Sequence, residues 1–202
     1  MVLIGIGYNW QQIGIAYAFG FRGLGDMHNN PVFEISNAYP AIVENYGWLS
    51  GLAIYAPTAI IGIFMGQITD NTNRVKLLGT ACILWSLTTY GSGAIDSFEA
   101  FCLLRVLLGI FSAACNPPAL GLIRDYFPPQ SRTFANSLYL ASDYLGCCFS
   151  SLSIILIKNY GWREDYEITG LIGILSGIAA LIYLEEPMRG KFERMEEKTL
   201  LP

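Results

Sequence analysis

Arg105 and Asp143 have the most chemistry to offer, because both stand inside apolar stretches long enough to cross a bilayer. A charged side chain at that depth costs roughly 3 kcal/mol or more, so it turns towards a bundle interior or a water-filled cavity. At about 1.5 Å per residue, Arg105 lies about 8–10 Å below one membrane face and Asp143 about 15 Å below it, a gap an arginine can close. Three roles are therefore open to Arg105: pairing with Asp143, contact with a substrate, or snorkelling to the nearer surface. By charge complementarity, an arginine with few acids around it favours an anionic or zwitterionic solute. Tyr8, Asn9, Gln11 and Gln12 form a polar run in the first apolar stretch. Such residues either line a cavity or bond to neighbouring helices. The chain has no G-x-S-x-G, no H-E-x-x-H and no phosphate-binding glycine loop, which argues against an enzyme. His28 stands alone in a polar loop. Cys82, Cys102, Cys115, Cys147 and Cys148 lie in apolar segments without C-x-x-C spacing or a histidine partner. They read as small packing residues, and no metal or cofactor is expected.

The elements that must hold these residues are membrane helices. The chain is 53% hydrophobic and 14% charged, where a soluble domain carries about 25% charged residues. Mean hydropathy is +0.42. Its 21 glycines suit helices that pack through small residues. Six stretches are long enough to span: 1–21, 47–67, 77–95, 98–123, 133–157 and 166–184. The expected fold is an all-α membrane protein, a six-helix bundle over 1–184 followed by a charged tail over 185–202. Pro57 and the pair Pro117-Pro118 should kink the second and fourth helices. Arg74, Lys76, Arg124, Arg132, Arg189, Lys191, Arg194 and Lys198 fall on one side, against Arg22, Lys158 and Arg163 on the other. That bias places the first side, and both termini, in the cytoplasm. Residues 22–46 become the only long external loop. The net charge of −4 is spread along the chain, and no basic stripe suggests nucleic acid. The lipid bilayer is the expected surrounding partner.

Two short turns pair acids with basic residues at helix ends: Gly66-Gln-Ile-Thr-Asp70-Asn-Thr-Asn73-Arg74-Val-Lys76, and Arg124-Asp125-Tyr-Phe-Pro-Pro-Gln-Ser-Arg132. The first resembles the major facilitator superfamily signature G-x-x-x-D-[RK]-x-G-[RK]-[RK], with Gly66, Asp70 and Arg74 in register. Asn71 replaces the first basic residue. Asn73 replaces the turn glycine, and asparagine tolerates a left-handed conformation. Arg105, Gly109, Pro118, Asp125, Phe127, Pro128 and Arg132 match the helix-four phrase, and Gly161-Trp162-Arg163 the G-W-R before helix six. The exit Glu185-Glu-Pro-Met-Arg-Gly190 is similar to that of spinster-like members, which are associated with lipid export.

The resemblance implies half of a major facilitator fold, its amino-terminal six helices. It further implies a secondary transporter working by alternating access on a small organic or lipid-like solute. Gly66, Asp70, Arg74, Arg124, Asp125 and Arg132 would form the gating motif, with Asp70 accepting from a neighbouring helix N-terminus and Arg74 bridging to a carboxylate. Arg105, Asp143, Tyr8, Asn9 and Gln12 would be the substrate or coupling residues. The departures are specific. Spinster-like proteins carry an Asp-Arg pair in helix one and a G-E-A after the helix-four arginine. Here those places hold Tyr8, Asn9, Gln11 and Gln12, and Gly109-Ile-Phe-Ser112-Ala113. The superfamily also has two six-helix halves with substrate between them. The partners implied are a second six-helix half, a homodimer or a larger membrane assembly. Two alternatives follow from the length: a non-transporting structural subunit, or a truncated product of a twelve-helix transporter.

Overall fold

The computed structural model describes residues 1–20, 30, 32–190 and 192. His28, residues 22–29 of the predicted loop and 193–202 of the predicted tail lie outside these. The described residues form six long helices and no strand: α1 (Val2–Gly20), α2 (Ala41–Asn71), α3 (Arg74–Ala94), α4 (Phe98–Tyr126), α5 (Pro129–Asn159) and α6 (Trp162–Tyr183). Helices α2, α4, α5 and α6 are long and apolar enough to cross a membrane, with mean hydropathy of 1.6 to 1.9. Helices α1 and α3 fall outside that set. The first carries the polar run, and the second opens on Arg74 and Lys76 and buries Ser86, Thr88, Thr89 and Ser92.

Several boundaries differ from the sequence reading. Helix α6 starts at Trp162 rather than 166, so Glu164 and Asp165 join Glu167 in its first two turns. Helix α3 is entered through Asn73, whose φ of −70° is extended rather than left-handed. Its side-chain oxygen accepts from Lys76 N at 2.8 Å, so Asn73 acts as an N-cap. The described part of the predicted external loop is structured. Ile35–Ala38 is a helical turn and α2 already begins at Ala41. Ile35, Tyr39 and Ile42 recur at helical spacing, and with Leu49 they are buried against Phe101, Trp162 and Tyr166. This segment roofs the end of the bundle opposite the α2–α3 turn. A second core, with Leu78, Trp85 and Leu122, fills the half nearer that turn.

The broadest helix contacts are α3 on α6 and α1 on α5; the Phe98–Ser112 part of α4 packs on α2 and α3. Helix α2 carries a π-turn at Trp48–Leu52 and then Pro57. Helix α4 breaks at 113–115, between Phe98–Ser112 and Asn116–Tyr126. Pro117 and Pro118 open the second part, where their missing N–H groups would be unpaired anyway. The Gly109 carbonyl, one turn before the break, accepts from Ser112 Oγ at 2.9 Å and from Thr58 Oγ1 of α2 at 2.8 Å. A Cβ on Gly109 would lie 2.4 Å from the Ile54 carbonyl oxygen, so only glycine admits this crossing.

Candidate functional site

The polar groups at the α2–α3 turn converge on Arg74, the first residue of α3. Its side chain is buried and donates through Nη1 to the Gly121 carbonyl at 3.1 Å and to the Asp125 carboxylate of α4. Asp125 is also buried, so this is a desolvated ion pair, costly to form and costly to break. Arg124 Nε stands 3.8 Å from the same carboxylate with its side chain half in solvent. Residues 185–190, which follow α6, close over the pair. Gly190 N donates to Asp125 Oδ1 at 3.1 Å, and Gly190 adopts a left-handed φ of 64°. Arg189 donates to the carbonyls of Thr69, Asp70 and Thr72, the open acceptors at the C-terminus of α2. Glu186 Oε2 accepts from Val75 N at 3.0 Å, in the first turn of α3. A cation thus sits on the negative end of α2 and an anion on the positive end of α3. The Tyr126 hydroxyl donates to the Glu185 carbonyl and holds the start of this strap to α4.

Of the residues nominated for gating, the structure unites Arg74 and Asp125, with Arg124 at the edge. Asp70 joins only through its main-chain oxygen. Its side chain is exposed, and the expected cap on a helix N-terminus is supplied by Glu186 instead. A Cβ on Gly66 would meet nothing within 4 Å. Arg132 bonds locally, from Nε to the Phe127 carbonyl at 3.2 Å. Glu186, Arg189 and Gly190 are the residues that sequence reasoning missed as part of the site.

Deeper in the bundle, Arg105 and Asp143 do not pair. Arg105 is 1% exposed; its Nη2 donates to the Tyr166 hydroxyl, and its guanidinium carbon lies 5.0 Å from the ring centroids of both Phe101 and Tyr166. Asp143 accepts from Asn9 Nδ2 at 2.7 Å. The reason is helix order: α5 packs on α1, whereas the part of α4 carrying Arg105 packs on α2 and α3. Snorkelling is excluded as well, since the aromatic roof covers Arg105. Arg105 Nε is buried without a hydrogen-bond partner. Thermal unfolding in detergent should therefore find the losses in Arg105→Gln and Asp143→Asn additive within about 0.5 kcal/mol, as for separated sites. A larger coupling would mean that the two side chains communicate.

The remaining polar run divides. Gln11 is buried and ties α1 to α3 and α6, donating to the Thr169 carbonyl at 2.9 Å and accepting from Thr89 Oγ1 at 3.1 Å. Gln12 donates to Tyr8 at 2.7 Å, and the Tyr8 ring meets Trp85 edge-on at 5.5 Å. Tyr139 of α5 donates to Asn116 at 2.9 Å, beside the α4 break. Among the described residues no three metal-binding side chains group together.

The profile of the Major Facilitator Superfamily matches residues 14–202. The chain belongs to that superfamily. Similar proteins include the sphingosine-1-phosphate transporter SPNS2 of Xenopus tropicalis, 25% identical over 201 residues, 94% of this chain and 39% of that protein. Protein spinster homolog 1 of Xenopus laevis is 25% identical over 207 residues, 98% of this chain and 39% of that protein. A bacterial homologue of the human lysosomal transporter Spinster, inward-facing and occupied, shares the fold with a TM-score of 0.66 at 24% identity. It aligns over 98% of this chain and 46% of its own. The chain therefore spans about two fifths of the length of these two curated relatives.

Membership makes the protein an integral, multi-pass membrane protein of a transporter family rather than an enzyme. It also gives the major facilitator motifs physical content. The turn arginine reaches the helix-four acid, Asp125. Arg163 of the G-W-R sequence caps the other end of α3, donating to the Gly93 carbonyl at 2.9 Å, the Ile95 carbonyl at 2.7 Å and Asp96 at 2.9 Å. Tyr39 also donates to Ile95; burial pushes its phenol pKa up, with Arg163 partly offsetting this. Ser112 of α4 lies 3.2 Å from Thr58 Oγ1 of α2. Asp165 is a buried acid not nominated from sequence, and its Oδ1 has no hydrogen-bond partner; Ser153 accepts from Trp10 Nε1 at 2.8 Å.

Proposed function

We propose that the chain forms the amino-terminal half-bundle of a secondary active transporter that moves a small organic or lipid-like solute by alternating access. The observation that carries this reading is the latch at the α2–α3 turn. One strap, one buried ion pair and two helix termini are joined by bonds that cannot survive separation of the helix ends, so the latch suits one conformational state and not another. Arg105 would meet the solute in a state in which the aromatic roof over it has opened, since a guanidinium with an unpartnered Nε suits an anionic or zwitterionic group. A second six-helix unit, from another chain or a longer one, would complete the cavity. A non-transporting subunit of a larger assembly is the second reading, supported by the neutral residues on α1 and α4 where spinster-like proteins carry acids.

Uptake of sphingosine-1-phosphate into proteoliposomes is the first assay, because a relative is named for that solute. Uptake above empty liposomes that falls with Arg189→Ala supports the latch as a gate. No uptake, together with purification as a fixed complex with other membrane chains, supports the subunit.

The latch end is assigned to the cytoplasm, with both termini, on the bias of basic residues. Single cysteines at Asn30 and Thr72 should label from opposite faces of intact membranes. Labelling of both from one face would overturn this topology.

A further inference from the structure

We propose that the cavity between the starts of α2 and α4 binds the quaternary ammonium headgroup of a membrane lipid. The cavity holds about 410 Å³ and is lined by Asn45 and Trp48 of α2 and by Phe98, Glu99 and Cys102 of α4. That volume falls in the range of small-molecule sites, about 300–1,000 Å³. The cavity opens at the end of the bundle away from the latch, where Phe98 and Cys102 pack on the outside of the aromatic roof. It is therefore separate from the box of Phe101 and Tyr166 that encloses Arg105.

The sign of the ligand follows from the lining. Glu99 is the one charged residue in it. The ion pairs among the described residues use other acids, so Glu99 has no cation there. The first turn of α4 tolerates this carboxylate but brings no basic side chain to it. An anion would meet Glu99 and find no charge to offset its own. A cation would find the carboxylate and two aromatic rings, Trp48 and Phe98, the combination that holds alkylated ammonium groups. A bare ammonium has three N–H groups to satisfy. A methylated one has none, and its methyl groups suit rings better than acceptors. Asn45, the other polar residue of the lining, already spends an N–H on the Ala41 carbonyl at 2.9 Å.

The surroundings point to a lipid rather than a soluble cation. Leu52 and Tyr55 follow Trp48 at one and two turns along α2, and Leu103 follows Glu99 along α4; all three are exposed. They extend the cavity into an apolar surface on which acyl chains can lie, while the headgroup stays at the helix ends. Trp48 also opens the π-turn Trp48–Leu52. Such a turn inserts one residue and shifts the helix face that follows, and π-turns are frequent at functional sites.

Saturation-transfer NMR on the trimethylammonium signal of choline tests the proposal, with the whole chain in maltoside micelles that carry no ammonium group. Choline should bind, and its neutral carbon isostere should not. Glu99→Gln and Trp48→Leu should each weaken choline binding about fivefold. Both side chains are exposed, so both variants should fold. Phosphatidylcholine added to the micelles should displace choline, and phosphatidylglycerol should not. No binding of choline, equal binding of the isostere, or unchanged binding in either variant overturns the proposal. Choline that phosphatidylcholine fails to displace overturns the lipid assignment, because the ligand is then a soluble cation. No transport is measured, so the outcome is independent of the transporter reading.

Discussion

Asp125→Leu should lower the thermal unfolding temperature of the detergent-solubilised protein more than any other single change at the latch. It strands the Arg74 guanidinium, which is 4% exposed, without a carboxylate, and it removes the acceptor of Gly190 N. Breaking one side of a buried ion pair costs about 3–5 kcal/mol, whereas replacing both partners by apolar residues is often close to neutral. Arg74→Leu with Asp125→Leu should thus recover most of the loss while leaving the strap unlatched. Asp70→Ala should do far less, because its side chain is exposed and its contribution is a carbonyl that any residue supplies. Equal effects at Asp70 and Asp125 would refute the assignment of the latch to Asp125.

Gly109→Ala should be the most disruptive addition of a single methyl. The new carbon would sit 2.4 Å from the Ile54 carbonyl oxygen and 3.0 Å from its carbon and Cα, all of them main-chain atoms that cannot rotate away. Helices α2 and α4 must separate, and the Thr58 bond to the Gly109 carbonyl is lost with them. Overpacking of this kind costs about 1–3 kcal/mol, and the lost hydrogen bond adds about 1 kcal/mol. Gly91→Ala is the control. Its Cβ would meet Leu104 Cδ1 at 3.5 Å, an ordinary contact, and it gains helix propensity without a clash. If both variants unfold at the same temperature, the α2–α4 crossing is not as tight as described.

The bundle was legible because a membrane helix is written as a run of apolar residues, and all six runs correspond to helices. Their ends were not, since charged residues can extend a helix past its apolar part; Glu164 and Asp165 belong to α6 for that reason. Arg74 and Asp125 were legible from acid and base at helix ends. Glu186, Arg189 and Gly190 were not: their partners are main-chain groups of α2 and α3 and the side chain of Asp125, more than 60 positions away. The motif around them could have found them only as a resemblance. Arg105 and Asp143 looked like partners on consecutive helices, but adjacency in sequence is not adjacency in a bundle. The aromatic box of Phe101 and Tyr166 was invisible because a tyrosine hydroxyl carries no charge to announce itself.

The order of attachments along the strap has a mechanical meaning. Gly190 is held to Asp125, Arg189 to the end of α2, and Glu186 to the start of α3. Tension applied from the carboxyl side of Gly190 loads these bonds one after another, as in peeling tape, rather than all together. Peeling needs little force and proceeds in steps. Its first step bares one oxygen of Asp125 while Arg74 still holds the other. Whatever pulls on this segment can therefore loosen the latch in graded amounts before the ion pair gives way.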